Sequence, residues 1–248
     1  MKTVAIIQAR MGSTRLPGKV MKLLAGKTVL AHVIERVKAC PLLSDVVVAT
    51  TTLQQDEVIV AEAVRCGAKY FCGSKDDVLS RYYHAARAFN ADIVVRITSD
   101  CPLFDPTILT KMLQDFLARA KGGEALDYYS NALQPSFPLG LSAEIFTFTA
   151  LTRAFSEATK DYEREHVTPY FYQHPDLFAI DGLTHVDDLS HYRWTLDTAE
   201  DFDLITKIYD HVYEEGRLFQ TDEVIQLLKD KPTLAKINAH VRQKQLGE

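Results

Sequence analysis

The sequence predicts an α/β fold, a mostly parallel sheet with helices on both faces. Three observations carry that expectation. The segments 45–50 and 93–97 are continuous apolar, β-branched runs without polar alternation, as in strands buried on both sides. Between such runs lie stretches with helical spacing, and alternating β and α elements imply crossovers above and below a parallel sheet. Each run also ends in polar residues: Gln8 to Arg10, Thr50 to Thr52, and Thr98-Ser99-Asp100. In open sheets of this kind the carboxyl edge builds the ligand site.

Residues 3–9 form the first expected strand. Val29, Leu30, Val33, Ile34 and Val37 then fall on one helical face, and Pro41 follows that helix. After the strand at 45–50, a second helix turns Ile59, Val60, Ala63 and Val64 inward and closes at Gly67. Lys69-Tyr70-Phe71 is a short strand, and the next helix buries Val78, Leu79, Tyr82, Tyr83, Ala86 and Phe89 ahead of the strand at 93–97. The character changes at Gly122-Gly123. A short polar and aromatic strand at 127–131 precedes the turn 135–140. The strand at 141–146 places Leu141, Ala143 and Ile145 on one face, with Ser142 and Glu144 on the other. A helix at 161–173, strands at 177–180 and 191–195, and two or three final helices complete the reading. One domain, 1–248, results, with an insertion at about 122–190 before the chain returns to the main sheet.

The loop after the first strand is the most informative stretch. Gln8-Ala9-Arg10-Met11-Gly12-Ser13-Thr14-Arg15-Leu16-Pro17-Gly18-Lys19 holds three cations, Arg10, Arg15 and Lys19, and no acid. Glycine permits close backbone approach, successive N–H groups form an anion-binding concavity, and arginine and lysine suit phosphate oxygens. The segment predicts a polyphosphate cradle. It is not a Walker loop, because Met21 stands where the first glycine of a motif ending in Gly26-Lys27-Thr28 belongs.

Other polar groups admit two readings from the residues alone. Thr50 to Thr52 either cap the next helix or line the site. Arg81 lies off the apolar stripe of its helix and is free to bind or to be solvated. Asp100 is either a turn or cap residue ahead of Pro102 or a ligand for a hard divalent cation, and Asp197 is either an N-cap with Glu200 closing a capping box or a second such ligand. Glu163 projects among Tyr162, His166, Val167 and Tyr170, where a carboxylate needs a partner; His166 at i+3 is one, and a role in a polar cleft is the other.

At 47% hydrophobic and 25% charged residues, the 248-residue chain is of ordinary globular composition. A net charge of -5 argues against general nucleic-acid binding, and no apolar run approaches a membrane span. Cys40, Cys66, Cys72 and Cys101 form no C-x-x-C pair and are expected as buried thiols in a reducing cytoplasm.

The segment Gln8-Ala9-Arg10-x-x-Ser13-x-Arg15-Leu16-Pro17-Gly18-Lys19 resembles the signature loop of the sugar-acid cytidylyltransferases, within them most the spore-coat polysaccharide biosynthesis protein F branch. The resemblance runs over most of the chain. It implies a Rossmann-like sheet of the nucleotide-diphospho-sugar transferase type, CTP and a sugar or sugar acid as substrates, and release of pyrophosphate for surface polysaccharide synthesis. It places Ala9, Arg10, Gly12, Ser13, Arg15, Lys19 and Ser99 with Thr50 and Arg81 around the nucleotide, with Lys19, Arg10 and Asp100 catalytic. Asp100 and Asp197 match the family's Mg²⁺ ligands. Asn131, Pro138, Gly140, Glu144, Glu165 and His166 fall on the acceptor side, and a homodimer is implied. Two alternatives compete: a glycosyltransferase, for which the lone Asp100 replaces the usual Asp-x-Asp, and a non-catalytic nucleotide-binding relative.

Overall fold

A computed structural model describes residues 1–243. β1 (Thr3–Gln8) empties into the cationic loop. A 3₁₀ turn at Lys19–Met21 and a small hairpin, β2 (Leu23–Leu24) with β3 (Lys27–Thr28), lead to α1 (Val29–Lys38). Alternation follows through β4 (Asp45–Thr51), α2 (Glu57–Arg65), β5 (Lys69–Gly73), α3 (Val78–Ala88), β6 (Ile93–Thr98) and α4 (Pro106–Lys121). The next segment contributes β7 (Tyr128–Ser130), β8 (Glu144–Thr147), α5 (Phe148–Glu157), α6 (Asp161–His166), α7 (Pro169–Tyr172) and β9 (Ile180–Gly182). The last described helices are α8 (Ala199–Val212), α9 (Thr221–Asp230) and α10 (Pro232–Ala235).

The main sheet has the order β5-β4-β1-β6-β8-β7-β9. β5, β4, β1 and β6 are parallel neighbours, and β8 runs antiparallel to both β6 and β7. The fold is the expected mostly parallel α/β sheet. Alternate residues of the buried strands feed two cores: Ala5, Ile7, Val48 and Val95 pack on one face with Leu30, Ile34 and Met112, whereas Val4, Ile6, Val47 and Val94 pack on the other with Leu79, Tyr82 and Leu151. A third core surrounds Trp194 and joins Leu196, Leu204, Ile208 and Phe219. Because β7, β8 and β9 continue the same sheet, the segment 122–190 shares the cores of the first half.

The structure departs from the sequence reading in several places. The helix at 161–173 is broken at Val167, whose φ is +73°, and restarts with Pro169 as the first residue of α7. Strand β8 begins at Glu144 instead of 141, because the Asn131 side chain takes the backbone of Leu141 and Ala143, Nδ2 donating to one carbonyl and Oδ1 accepting from the other N–H, at 2.9 Å each. Residues 191–195 form no strand; a single bridge joins Arg193 to Leu139. β9 starts at Ile180, and Phe178 is spent on the second core. On α2, Val64 is exposed while Glu62 is buried, the reverse of a simple apolar stripe. Of the cysteines only Cys40 and Cys101 are buried; Cys72, on the edge strand β5, is exposed. Glu163 pairs with Lys160, not His166, accepting from its backbone N–H at 3.2 Å and its ammonium at 3.0 Å in a cap of α6.

Candidate active site

The loop after β1 is pinned twice where it begins. Ala9 N–H donates to the Ala49 carbonyl at 3.1 Å, and Met11 N–H donates to Asp56 Oδ1 at 2.7 Å. Ser13 N–H and Gly18 N–H both return to the Met11 carbonyl, at 2.9 and 3.1 Å, which curls the chain. Gly18 has a φ of +65°, a region that favours glycine, and this turn carries Lys19 inward. Among the described residues, the N–H groups of Gly12, Thr14 and Arg15 donate no hydrogen bond, and the exposed Arg10 makes no ion pair. Open N–H donors on a cationic turn are available to an anion.

Lys19 Nζ donates to Asp100 Oδ2 and to Asp197 Oδ1, each at 2.7 Å. The two carboxylates thus converge from positions far apart in the chain. Asp100 follows β6, whose end is tied to β1 by Ser99 N–H on the Gln8 carbonyl at 3.1 Å. Asp197 is brought there by Leu196 N–H on the Asp100 carbonyl at 2.8 Å. Burial alone would lower the Lys19 pKa, but Asp100 and Asp197 outweigh it and hold the ammonium above its ordinary value. Burial likewise opposes ionisation of Asp100, and Lys19 overcomes it, so the carboxyl lies below the usual range.

Neither aspartate is a helix cap. Asp105 caps α4, accepting from Thr107 N–H at 2.8 Å, and Thr198 caps α8 with Asp201 reciprocating. Asp197 also receives Arg15 Nη2 at 3.0 Å and Arg193 Nη2 at 2.9 Å. Arg193 in turn grips Asp201 through Nε at 2.9 Å and Nη2 at 3.0 Å, and Asn238 Nδ2 closes on Asp201 Oδ1 at 2.8 Å.

On the other side of the loop, Thr51 takes the turn role: Leu53 N–H donates to its hydroxyl at 3.1 Å, and the hydroxyl binds Asp56. Thr50 Oγ1 is left buried without a partner among the described residues. Arg81 is buried, not solvated; one Nη donates to the Ser74 carbonyl at 2.9 Å while Nε has no partner among the described residues. Gln8 Oε1 and Arg96 Nε are buried and unpaired as well. Unsatisfied buried polar atoms are rare in native interiors, and these four lie on or beside the first-half strands that build the site.

Beyond β6 a cavity of about 450 Å³ opens, lined by Arg96, Tyr128, Ser142, Glu144, His166 and Tyr172 among others. Arg96 on β6 pairs with Glu144 on β8, which also accepts from Tyr128 Oη at 2.6 Å. Burial lowers the pKa of His166, and the nearby Arg96 and Arg10 push it the same way, against Glu165, so the imidazole is neutral near pH 7. Of the acceptor-side residues expected from the resemblance, Glu144 and His166 line this cavity. Glu165 is exposed, and Asn131 is committed to backbone. Pro138 and Gly140 lie elsewhere, in a turn against Trp194 and Thr195.

Several site residues escaped the sequence reading. Arg96 had a signal, a lone cation in a buried strand that demands a partner. Asp201 stood within the same acidic segment as Asp197. Arg193, Asn238 and Asp56 carried none that spacing could expose.

With two carboxylates and an ammonium at the mouth of a phosphate-type loop, on the carboxyl edge of a parallel sheet, fold and site define an α/β nucleotidyltransferase. The family model described as Cytidylyltransferase matches residues 4–231, and the chain belongs to that family. It is 33% identical to the spore coat polysaccharide biosynthesis protein SpsF of Bacillus subtilis, over 93% of this chain and 95% of that protein, and lies in that branch. An uncharacterised protein of Methanocaldococcus jannaschii is 38% identical over 100% of this chain and 99% of its own length. The solved structure of a cytidylyltransferase from Leptospira borgpetersenii superposes with a TM-score of 0.90 at 34% identity, covering 99% of both chains.

Proposed function

We propose that the protein transfers CMP from CTP to a hydroxyl of a sugar acid, with Mg²⁺, releasing pyrophosphate for surface polysaccharide synthesis. The observation that carries this reading is the Lys19 ammonium bridging Asp100 and Asp197 beside the open N–H groups of the loop. Relatives named for 3-deoxy-manno-octulosonate cytidylyltransferase activity, such as that of Trichlorobacter lovleyi, 38% identical over 47% of this chain, support the acceptor class.

The donor set suits a hard divalent cation: Mg²⁺ favours one or two carboxylates and completes its shell with phosphate oxygens and water. Asp100 and Asp197 are the carboxylates that would hold it. When bound, the ion draws charge from the α-phosphate and lowers the pKa of the attacking hydroxyl. The chain's own residues do the rest. Gly12, Thr14 and Arg15 N–H groups with Arg10 and Ser13 hold the β- and γ-phosphates, and Lys19 stabilises the charge that develops on departing pyrophosphate. Thr50 and Arg81, with their unpaired polar atoms, face the nucleoside. Glu144 and His166 orient the acceptor in the cavity. Its hydroxyl oxygen bonds to the α-phosphorus, the bond from that phosphorus to the β-bridging oxygen breaks, and the hydroxyl proton passes to solvent. No protein nucleophile is needed, and Cys101 is unsuited to the task because burial pushes its thiol far up.

The test is pyrophosphate release from CTP, UTP, ATP or GTP against a panel of 2-keto-3-deoxy sugar acids. The expected outcome is release with CTP and one acid only when both are present. Binding of CTP without release for any acid would favour a non-catalytic relative.

A further inference from the structure

We infer that Asp56 is a positioning residue that sets the start of the phosphate loop, and with it Arg10; this rests on the reading of the loop as the CTP site. Asp56 is 1% exposed, yet it makes no ion pair among the described residues. A buried carboxylate without a paired cation is costly unless hydrogen bonds satisfy it. It immediately precedes α2, at the N-cap position, but does not cap that helix with its side chain. Both oxygens instead face the loop side: Oδ1 accepts from Met11 N–H at 2.7 Å, and Oδ2 accepts from the Thr51 hydroxyl.

Arg10 consequently sits between two anchors, the Ala9 N–H bond to Ala49 and the Met11 N–H bond to Asp56. Its guanidinium is exposed and near enough to act electrostatically on both Arg81 and His166. The Asp56 carboxylate also joins the loop after β1 to the carboxyl end of β4. Those are the segments that carry the phosphate donors and Thr50. A hydrogen bond between them fixes the spacing of the two halves of one nucleotide site. Asp56 touches no reacting atom in this arrangement and acts through the placement of Arg10.

The experiment is a double-mutant cycle of Asp56 with Arg10, read as kcat and KM for CTP together with the CTP-induced shift in Tm. Asp56→Ala is expected to lower kcat/KM for CTP 10- to 100-fold in the wild-type background and less than 3-fold in Arg10→Ala. Asp56→Asn keeps an acceptor for Met11 N–H and a polar partner for Thr51, and should restore kcat/KM to within about threefold. Should Asp56→Ala fail to fold, Asp56→Glu, which displaces the carboxylate by one methylene, has to show the same loss. Equal losses in both Arg10 backgrounds, or no rescue by Asn, would overturn the role. If wild-type protein shows no Tm shift with CTP, the nucleotide-site reading falls with it; a normal wild-type shift with unchanged Asp56→Ala removes Asp56 alone.

Discussion

Lys19 is the residue on which the site turns. Its ammonium is held by two carboxylates at 2.7 Å, so its charge is fixed in place before any ligand arrives. A preorganised donor aimed at developing charge typically contributes about 2.7–4 kcal/mol to the barrier, or 10²–10³ in rate. Lys19→Met is therefore expected to lower kcat of pyrophosphate release by about 10²–10³ while cooperative unfolding persists; wild-type turnover would remove Lys19 from the chemistry. The loop motif singled out Lys19, whereas Asp100 and Asp197 each kept two readings from local pattern and were paired only by the resemblance; the structure brings the three side chains together. Arg193 was not legible in the sequence. Its meaning comes from holding Asp197 and Asp201 together, at 2.9 Å to each, and from the Asn238 contact on Asp201, a relation that no local spacing encodes.

At the scale of elements, the turn before β8 has an effect that its sequence hides. Gly140 has a φ of +114°, and a Cβ there would lie 2.6 Å from Thr195 N and from the Trp194 carbonyl carbon. That close packing, with Trp194 N–H on the Leu139 carbonyl at 2.6 Å, holds the segment that delivers Asp197 to Asp100. Gly140→Ala adds backbone strain of roughly 1–3 kcal/mol and an overpacking cost of similar size. A fall in Tm of on the order of 10 °C should follow, by calorimetry, with CTP binding weakened in the surviving fold. A variant with unchanged Tm would contradict the packing argument. The strands at 45–50 and 93–97 were readable because burial on both faces leaves one pattern. The helix at 161–173 and the strand at 191–195 were not, since Val167 takes a positive φ in a tight turn closed by Thr168 N–H on the His166 carbonyl, and residues 191–195 exchange backbone bonds with a distant turn rather than a ladder. Both departures are tertiary decisions that override local preference.

For the molecule as a whole, the acidic centre is already balanced. Lys19, Arg15 and Arg193 face Asp100, Asp197 and Asp201, three cations against three carboxylates. In a chain of net charge -5, this is a charge-balanced cluster, with the exposed Arg10 on the same loop as Arg15 and Lys19. A divalent ion entering alone adds uncompensated charge and competes with Lys19, whereas a triphosphate brings the anions that balance it and gives Lys19 a new partner. Under the proposed function, metal and nucleotide binding are then coupled, and by linkage each strengthens the other equally. The decisive measurement is calorimetric titration of CTP into the protein with and without Mg²⁺, paired with titration of Mn²⁺ in the absence of nucleotide. Mg²⁺ is expected to tighten CTP at least about tenfold, 1.4 kcal/mol, in wild-type protein, Asp100→Asn to lose this gain, and Mn²⁺ alone to bind weakly. CTP affinity indifferent to Mg²⁺, or tight Mn²⁺ binding without nucleotide, would contradict a joint site at Lys19, Asp100 and Asp197.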